Sequence, residues 1–149
     1  MKKVYLYLVL LVVTAGVMLA VSVCEPAILA KNAFLVGFIN HEILGIMAVI
    51  MTISIASIAT IHIWFNELEA KHEKRVFGSA RREINQAAFS FITLFVAQLV
   101  CLFVRSFPIF EGSDVATSIF NGISLLLLLG SVITLWDIMG VVKALTPDD

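Results

Sequence analysis

Four long apolar runs divide the chain, and short polar stretches separate them. The runs are Val4 to Val23, Ile43 to Phe65, Ala87 to Val104 and Val115 to Gly140. A hydrocarbon core ~30 Å thick is crossed by about 20 apolar residues in a helix, each rising about 1.5 Å. Each run suits that span. Peptide groups in lipid find no water, so only helices and closed barrels satisfy them. Barrel strands alternate apolar and polar positions, and these runs do not alternate. The pattern predicts an all-α integral membrane protein, a four-helix transmembrane bundle forming one domain over residues 1–149. The expected helices lie at about 4–23, 43–65, 80–107 and 115–140.

The first run follows Met1-Lys2-Lys3 and contains Ala20-Val21-Ser22, features shared with signal peptides. Its apolar core exceeds the ~7–15 residues of such peptides, so the expectation is a retained helix. Helix two is expected to continue past the membrane to Val76. The polar connection 66–85 is rich in helix formers, with Glu67 and Lys71 four apart in the favourable order. Gly78 suits a helix stop and Ser79 a start. The result is a helical hairpin extension between helices two and three.

Lysine and arginine positions set the expected orientation. Lys2, Lys3, Lys71, Lys74, Arg75, Arg81, Arg82 and Lys143 fall on one side, and Lys31 and Arg105 on the other, eight against two. Both termini and the hairpin are therefore expected in the cytoplasm, with the protein integral to a membrane of the bacterial inner (plasma) type. The outer connection, 24–41, is long and apolar through Ala27 to Ile39. It is expected to lie as an interfacial helix in the headgroups, with a re-entrant half-helix as the alternative. Ser106 to Asp114 reads as a short loop with Pro108 as a helix stop.

Composition agrees with the pattern. Sixty per cent of residues are hydrophobic and 14% charged, whereas a soluble domain carries about 25% charged residues. The net charge of −1 points to no nucleic-acid partner. The two cysteines, Cys24 and Cys101, form no C-x-x-C pair of the kind a thiol oxidoreductase needs. Both are expected towards the outer side, as inert thiols or, alternatively, as a disulfide.

Several residues are candidates for function. On helix two, His41, Gly45, Ala48, Thr52, Ile55, Ala59, His62 and Asn66 follow alternating steps of three and four, a stripe of small and polar side chains. Small residues let helices in lipid approach closely, so the stripe is either a packing seam or a pore lining. Gln98, Asn121 and Asp137 are polar groups within apolar runs, which must face protein or water. Glu42 and Arg105 form a candidate outer ion pair. Glu67, Glu69, Lys71, Glu73, Lys74, Arg75, Arg81 and Arg82 make a candidate docking surface on the hairpin. His41 and His62, ~30 Å apart along one helix, cannot share a metal ion, and no cofactor, metal site or catalytic motif is expected.

The reading is a small multi-pass interaction, anchoring or sensing subunit, not an enzyme. Its expected partners are the lipid bilayer and either further copies of itself or other membrane or cytoplasmic subunits. Two alternatives stand beside it. One is an oligomeric channel or transporter whose pore is lined by helix two. The other is a membrane enzyme acting on lipid or quinone, with Gln98, Arg105 and Asp137 as first suspects.

Overall fold

The computed structural model describes residues 2–72 and 77–145. They form six α-helices: α1 (Lys2–Cys24), α2 (Ala27–Ala30), α3 (Ala33–Phe38), α4 (His41–His72), α5 (Gly78–Arg105) and α6 (Asp114–Leu145). A single 3-10 turn, Pro108–Phe110, lies between α5 and α6, and no strand occurs among the described residues. Four helices are long and apolar enough to cross a membrane, through Tyr5–Cys24, His41–Lys71, Gly78–Arg105 and Asp114–Gly140. Their outward faces carry large apolar side chains such as Leu6, Val12, Ile53, Phe89, Phe103 and Trp136. An apolar surface so extensive is unfavourable in water and costs nothing against hydrocarbon.

Helix α6 is the hub, packing against α1, α2, α4 and α5. Helix α5 packs on α6 and α4, leaving α1 and α4 at the periphery. Helix α4 is continuous for 32 residues, ~48 Å at 1.5 Å per residue, and so outruns a ~30 Å hydrocarbon core. Its expected continuation to Val76 lies outside the described residues. Gly78, expected to end a helix, is the first residue of α5. Ser79 is exposed, and the N-cap residue Phe77 makes no side-chain cap.

Two apolar clusters lie at opposite ends of the bundle. At the hairpin end, where α4 meets α5, Ile58, Phe65, Ile84, Phe91 and Ile138 pack together. At the far end, Leu29, Leu35 and Ile39 pack against Met18, Val21, Phe38, Leu102 and Leu125. The segment expected as one interfacial helix is two short ones. Pro26, which lacks an N–H, follows the end of α1 and stands at the N-cap of α2. Asn32 then caps α3, its Oδ1 accepting from the Phe34 and Leu35 N–H groups at 3.0 and 3.2 Å. This break turns Leu29, Ala30, Leu35 and Ile39 inward and leaves Ile28, Phe34 and Val36 outside. Gly112, at φ +81, makes the turn that returns the chain from α5 to α6.

Candidate functional site

Apolar contact between helices in lipid brings no hydrophobic gain, so close fit and polar links decide how they pair. In this bundle the polar links fall into two groups, one at each end.

The far-end group is built on α6. Ser118, Asn121, Ser124 and Ser131 are buried on it. Ser118 donates to Ser22 of α1 at 2.9 Å. The Gln98 amide of α5 donates to Ser124 at 3.0 Å. Cys101 packs one turn further along, its sulfur 3.7 Å from the Ser124 hydroxyl. Both cysteines are free thiols, Cys24 exposed and Cys101 buried. Gln98 and Asn121 are wholly buried, yet Gln98 Oε1 and Asn121 Oδ1 have no hydrogen-bond partner among the described residues.

Three side chains of the α5–α6 hairpin hold the α2–α3 segment. Asn121 Nδ2 donates to the Leu29 carbonyl at 2.7 Å. Arg105 Nη1 donates to the Ile39 carbonyl at 2.9 Å. Asp114 pairs with Lys31. Asn121 stands seven residues into α6, ~10 Å along the helix from Asp114, so α2 is drawn in beside the helix ends. Arg105 thus binds a backbone carbonyl. Glu42 is exposed, and the ion pairs among the described residues are Lys31–Asp114 and Glu69–Arg81, not Glu42–Arg105.

At the hairpin end α4 and α5 meet through a polar ladder in antiparallel register. His62 Nε2 lies 2.9 Å from Asn85 Oδ1. One turn on, Arg81 Nη2 donates to Asn66 Oδ1 at 2.8 Å and to Glu69 Oε2 at 2.9 Å. Glu69 Oε1 accepts the Phe77 N–H at 3.2 Å, so α4 supplies the cap that α5 lacks. Beneath the ladder Phe65 stacks on Phe77 with centroids 4.7 Å apart, and the Arg81 guanidinium lies 5.7 Å from the Phe65 ring centroid. This is a cation–π contact.

The α4 stripe is split by the fold. A 3.5-residue repeat drifts around a 3.6-residue helix by ~20° per heptad. Its far-end members His41, Gly45, Thr52 and Ala59 are exposed, with Ala48 half-buried. Its hairpin-end members His62 and Asn66 join the ladder to α5. The bundle instead buries Ile43, Met47, Ser54, Ile58 and Phe65 of α4. The exposed hydroxyls of Thr52, Ser57 and Thr60 donate to carbonyls of their own helix.

Of the candidate docking residues, Glu69 and Arg81 bind one another with side chains 17% and 27% exposed, so they hold the hairpin together. Glu67, Lys71 and Arg82 are exposed, whereas Glu73, Lys74 and Arg75 lie outside the described residues. Asp137 is exposed beside Trp136, ~35 Å along α6 from Asp114. Ser22, Ser118 and Asn85 were not among the sequence candidates. Ser118 shares the α6 face of Asn121 and Ser124 by three-residue steps, a signal that the sequence does carry.

The far-end links end on serine hydroxyls, backbone carbonyls and one carboxylate, the hairpin-end links on amide and carboxylate oxygens, and no cluster of three His, Cys, Asp or Glu side chains occurs among the described residues. The arrangement joins helices and presents surfaces. Comparison with protein-family models, curated proteins and solved structures returns no match. The fold defines the class of multi-helix proteins built to be compatible with a membrane.

Proposed function

We propose that this protein is a small multi-pass membrane subunit that acts by association, with a second copy of itself packed against the exposed flank of α4. The observation that carries this reading is the far-end half of the α4 stripe. Gly45, Thr52 and Ala59 are small, exposed and spaced by seven residues. A seven-residue repeat is the spacing of a left-handed helix–helix seam, and small residues are what such seams in lipid use. The protomer's own neighbours take the other face of α4, through Ile43, Met47, Ile58 and Phe65. Thr52 already bonds the Ala48 carbonyl at 2.8 Å, so a partner helix meets no unsatisfied hydroxyl there. The lysine and arginine distribution favours a cytoplasmic hairpin, which makes Glu67, Lys71 and Arg82 the groups available for anchoring or sensing.

Cysteine crosslinking in native membranes tests this. In a Cys24→Ser, Cys101→Ala background, Gly45→Cys, Thr52→Cys and Ala59→Cys are expected to give crosslinked dimers. Ile46→Cys and Ile53→Cys, on the other flank of the outward face, are expected to stay monomeric. Monomers at every position, or equal crosslinking on both flanks, would refute the seam.

A further inference from the structure

We infer that α5 carries a binding site for the headgroup of an anionic phospholipid. A shallow, largely open groove lies along one face of α5 at the hairpin end, lined by Arg81, Arg82, Asn85, Gln86, Phe89 and Ser90, with Gly78 at its head. Among the described residues no acidic side chain lines it. Arg81 is held by Asn66 and by Glu69, whose carboxylate largely offsets its charge. Arg82 is exposed and makes no ion pair among the described residues. Asn85 engages His62 through Oδ1, which leaves its Nδ2 as a donor. The guanidinium of Arg82 and the amide groups of Asn85 and Gln86 thus supply donors along one wall, and the first turn of α5 adds the positive end of its dipole. Phosphate oxygens are acceptors only, and arginine matches them with a planar fork of donors.

Depth selects a lipid over a soluble anion. With Arg105 at one surface, Arg82 lies ~35 Å along α5 and Phe89 ~24 Å along it. Across a ~30 Å hydrocarbon core, Arg82 then stands among headgroups, while Phe89 stands among acyl chains. Phe89 is 71% exposed, an aromatic face beside which a chain can lie directly below the arginine. A single site therefore offers one free guanidinium with neutral amide donors above and an apolar wall below, the two halves of a phospholipid. Basic groups near a membrane surface attract anionic lipid at ~1 kcal/mol each.

Trp64 reports on the groove, because its ring lies 6.3 Å from that of Phe77, the residue before Gly78. With Trp136→Phe it is the sole tryptophan of the two in the chain. The full-length protein is reconstituted into phosphatidylcholine vesicles containing either brominated phosphatidylglycerol or brominated phosphatidylcholine. The symmetric composition makes insertion direction immaterial. Half-maximal quenching of Trp64 is expected at a mole fraction about fivefold lower for the anionic lipid, the ratio that ~1 kcal/mol yields. Arg82→Gln is expected to abolish that preference and Arg82→Lys to retain part of it. Lys71→Gln, an equal loss of charge on α4, is expected to leave it unchanged. Equal quenching by the two lipids overturns the proposal, as does an equal loss in Arg82→Gln and Lys71→Gln, which marks diffuse attraction. Relief of quenching by inorganic phosphate or by polyglutamate also overturns it, assigning the groove to a free anion or an acidic peptide.

Discussion

Replacing Asn121 with alanine isolates the deepest of the three contacts on the α2–α3 segment. Asn121 is wholly buried and donates to the Leu29 carbonyl at 2.7 Å. Leu29 is itself buried, and among the described residues that carbonyl accepts no other hydrogen bond. The substitution therefore orphans a buried acceptor, a loss of ~1–3 kcal/mol in proteins generally. Two effects pull the figure down. Hydrogen bonds between membrane helices average only ~0.6 kcal/mol in double-mutant cycles, and the change also removes the unpartnered Asn121 Oδ1. The expected net cost is ~1–2 kcal/mol, confined to the far end. A maleimide reacting with Ala30→Cys, in a Cys24→Ser, Cys101→Ala background, measures it locally, because Ala30 is only 7% exposed. If labelling follows local opening, Asn121→Ala accelerates it by about 5–30-fold. Labelling of Ser54→Cys, buried on α4, is expected to stay constant. Unchanged labelling at Ala30→Cys would show that the bond does not hold α2 in place. Parallel rises at both positions would show that it acts on the whole bundle.

The other contacts on that segment should rank by exposure. Arg105→Gln is expected to cost ~1–2 kcal/mol, since a charge-assisted bond to the Ile39 carbonyl is lost, whereas Lys31→Ala stays within ~0.5 kcal/mol because that pair is 66% and 44% exposed and solvent-screened. Unfolding by rising mole fraction of SDS separates the two, and equal effects would refute the ranking. At the hairpin end Arg81→Ala removes bonds to Asn66 and Glu69 and the contact with Phe65, and is expected to cost ~2–3 kcal/mol by the same titration. Protease cleavage between Lys71 and Phe77 should accelerate with it, and an unchanged cleavage rate would count against the ladder. A Cβ at Gly122 would sit 3.4 Å from the Met18 Cβ, so Gly122→Ala is expected to be nearly neutral, and Gly122→Val to lower stability by ~1–3 kcal/mol as its branches crowd α1. Equal midpoints for the two variants would place no close contact there.

The four long helices could be read from the chain alone. Each apolar run is long enough to span hydrocarbon, and a peptide group in lipid has no other economical partner than its own helix. Gln98 and Asn121 were legible for a related reason, since a polar group within such a run must turn to protein or water. Which apolar residues face inward was not legible. Ile43, Ile58 and Ile84 are buried, while Ile46, Ile53 and Ile63 face out, and isoleucine is equally at ease against lipid and against protein. The α4 stripe suffered from the same ambiguity. Its spacing was plain, but neighbouring helices decided that Gly45 and Thr52 stay outside while His62 and Asn66 meet α5.

The partners were likewise set by tertiary structure. Arg105 lies 66 residues from the carbonyl it binds, and Asn121 lies 92 residues from its own. No local pattern reveals such pairs, because a guanidinium or an amide accepts whichever acceptor the packing brings. The segment between α1 and α4 shows the division most clearly. Sequence determined that Ala27 to Ile39 is too apolar to lie free in water. Only the packed bundle, with Asn121, Asp114 and Arg105 at fixed points along α6 and α5, decided that it breaks at Asn32 and folds as two short helices against them.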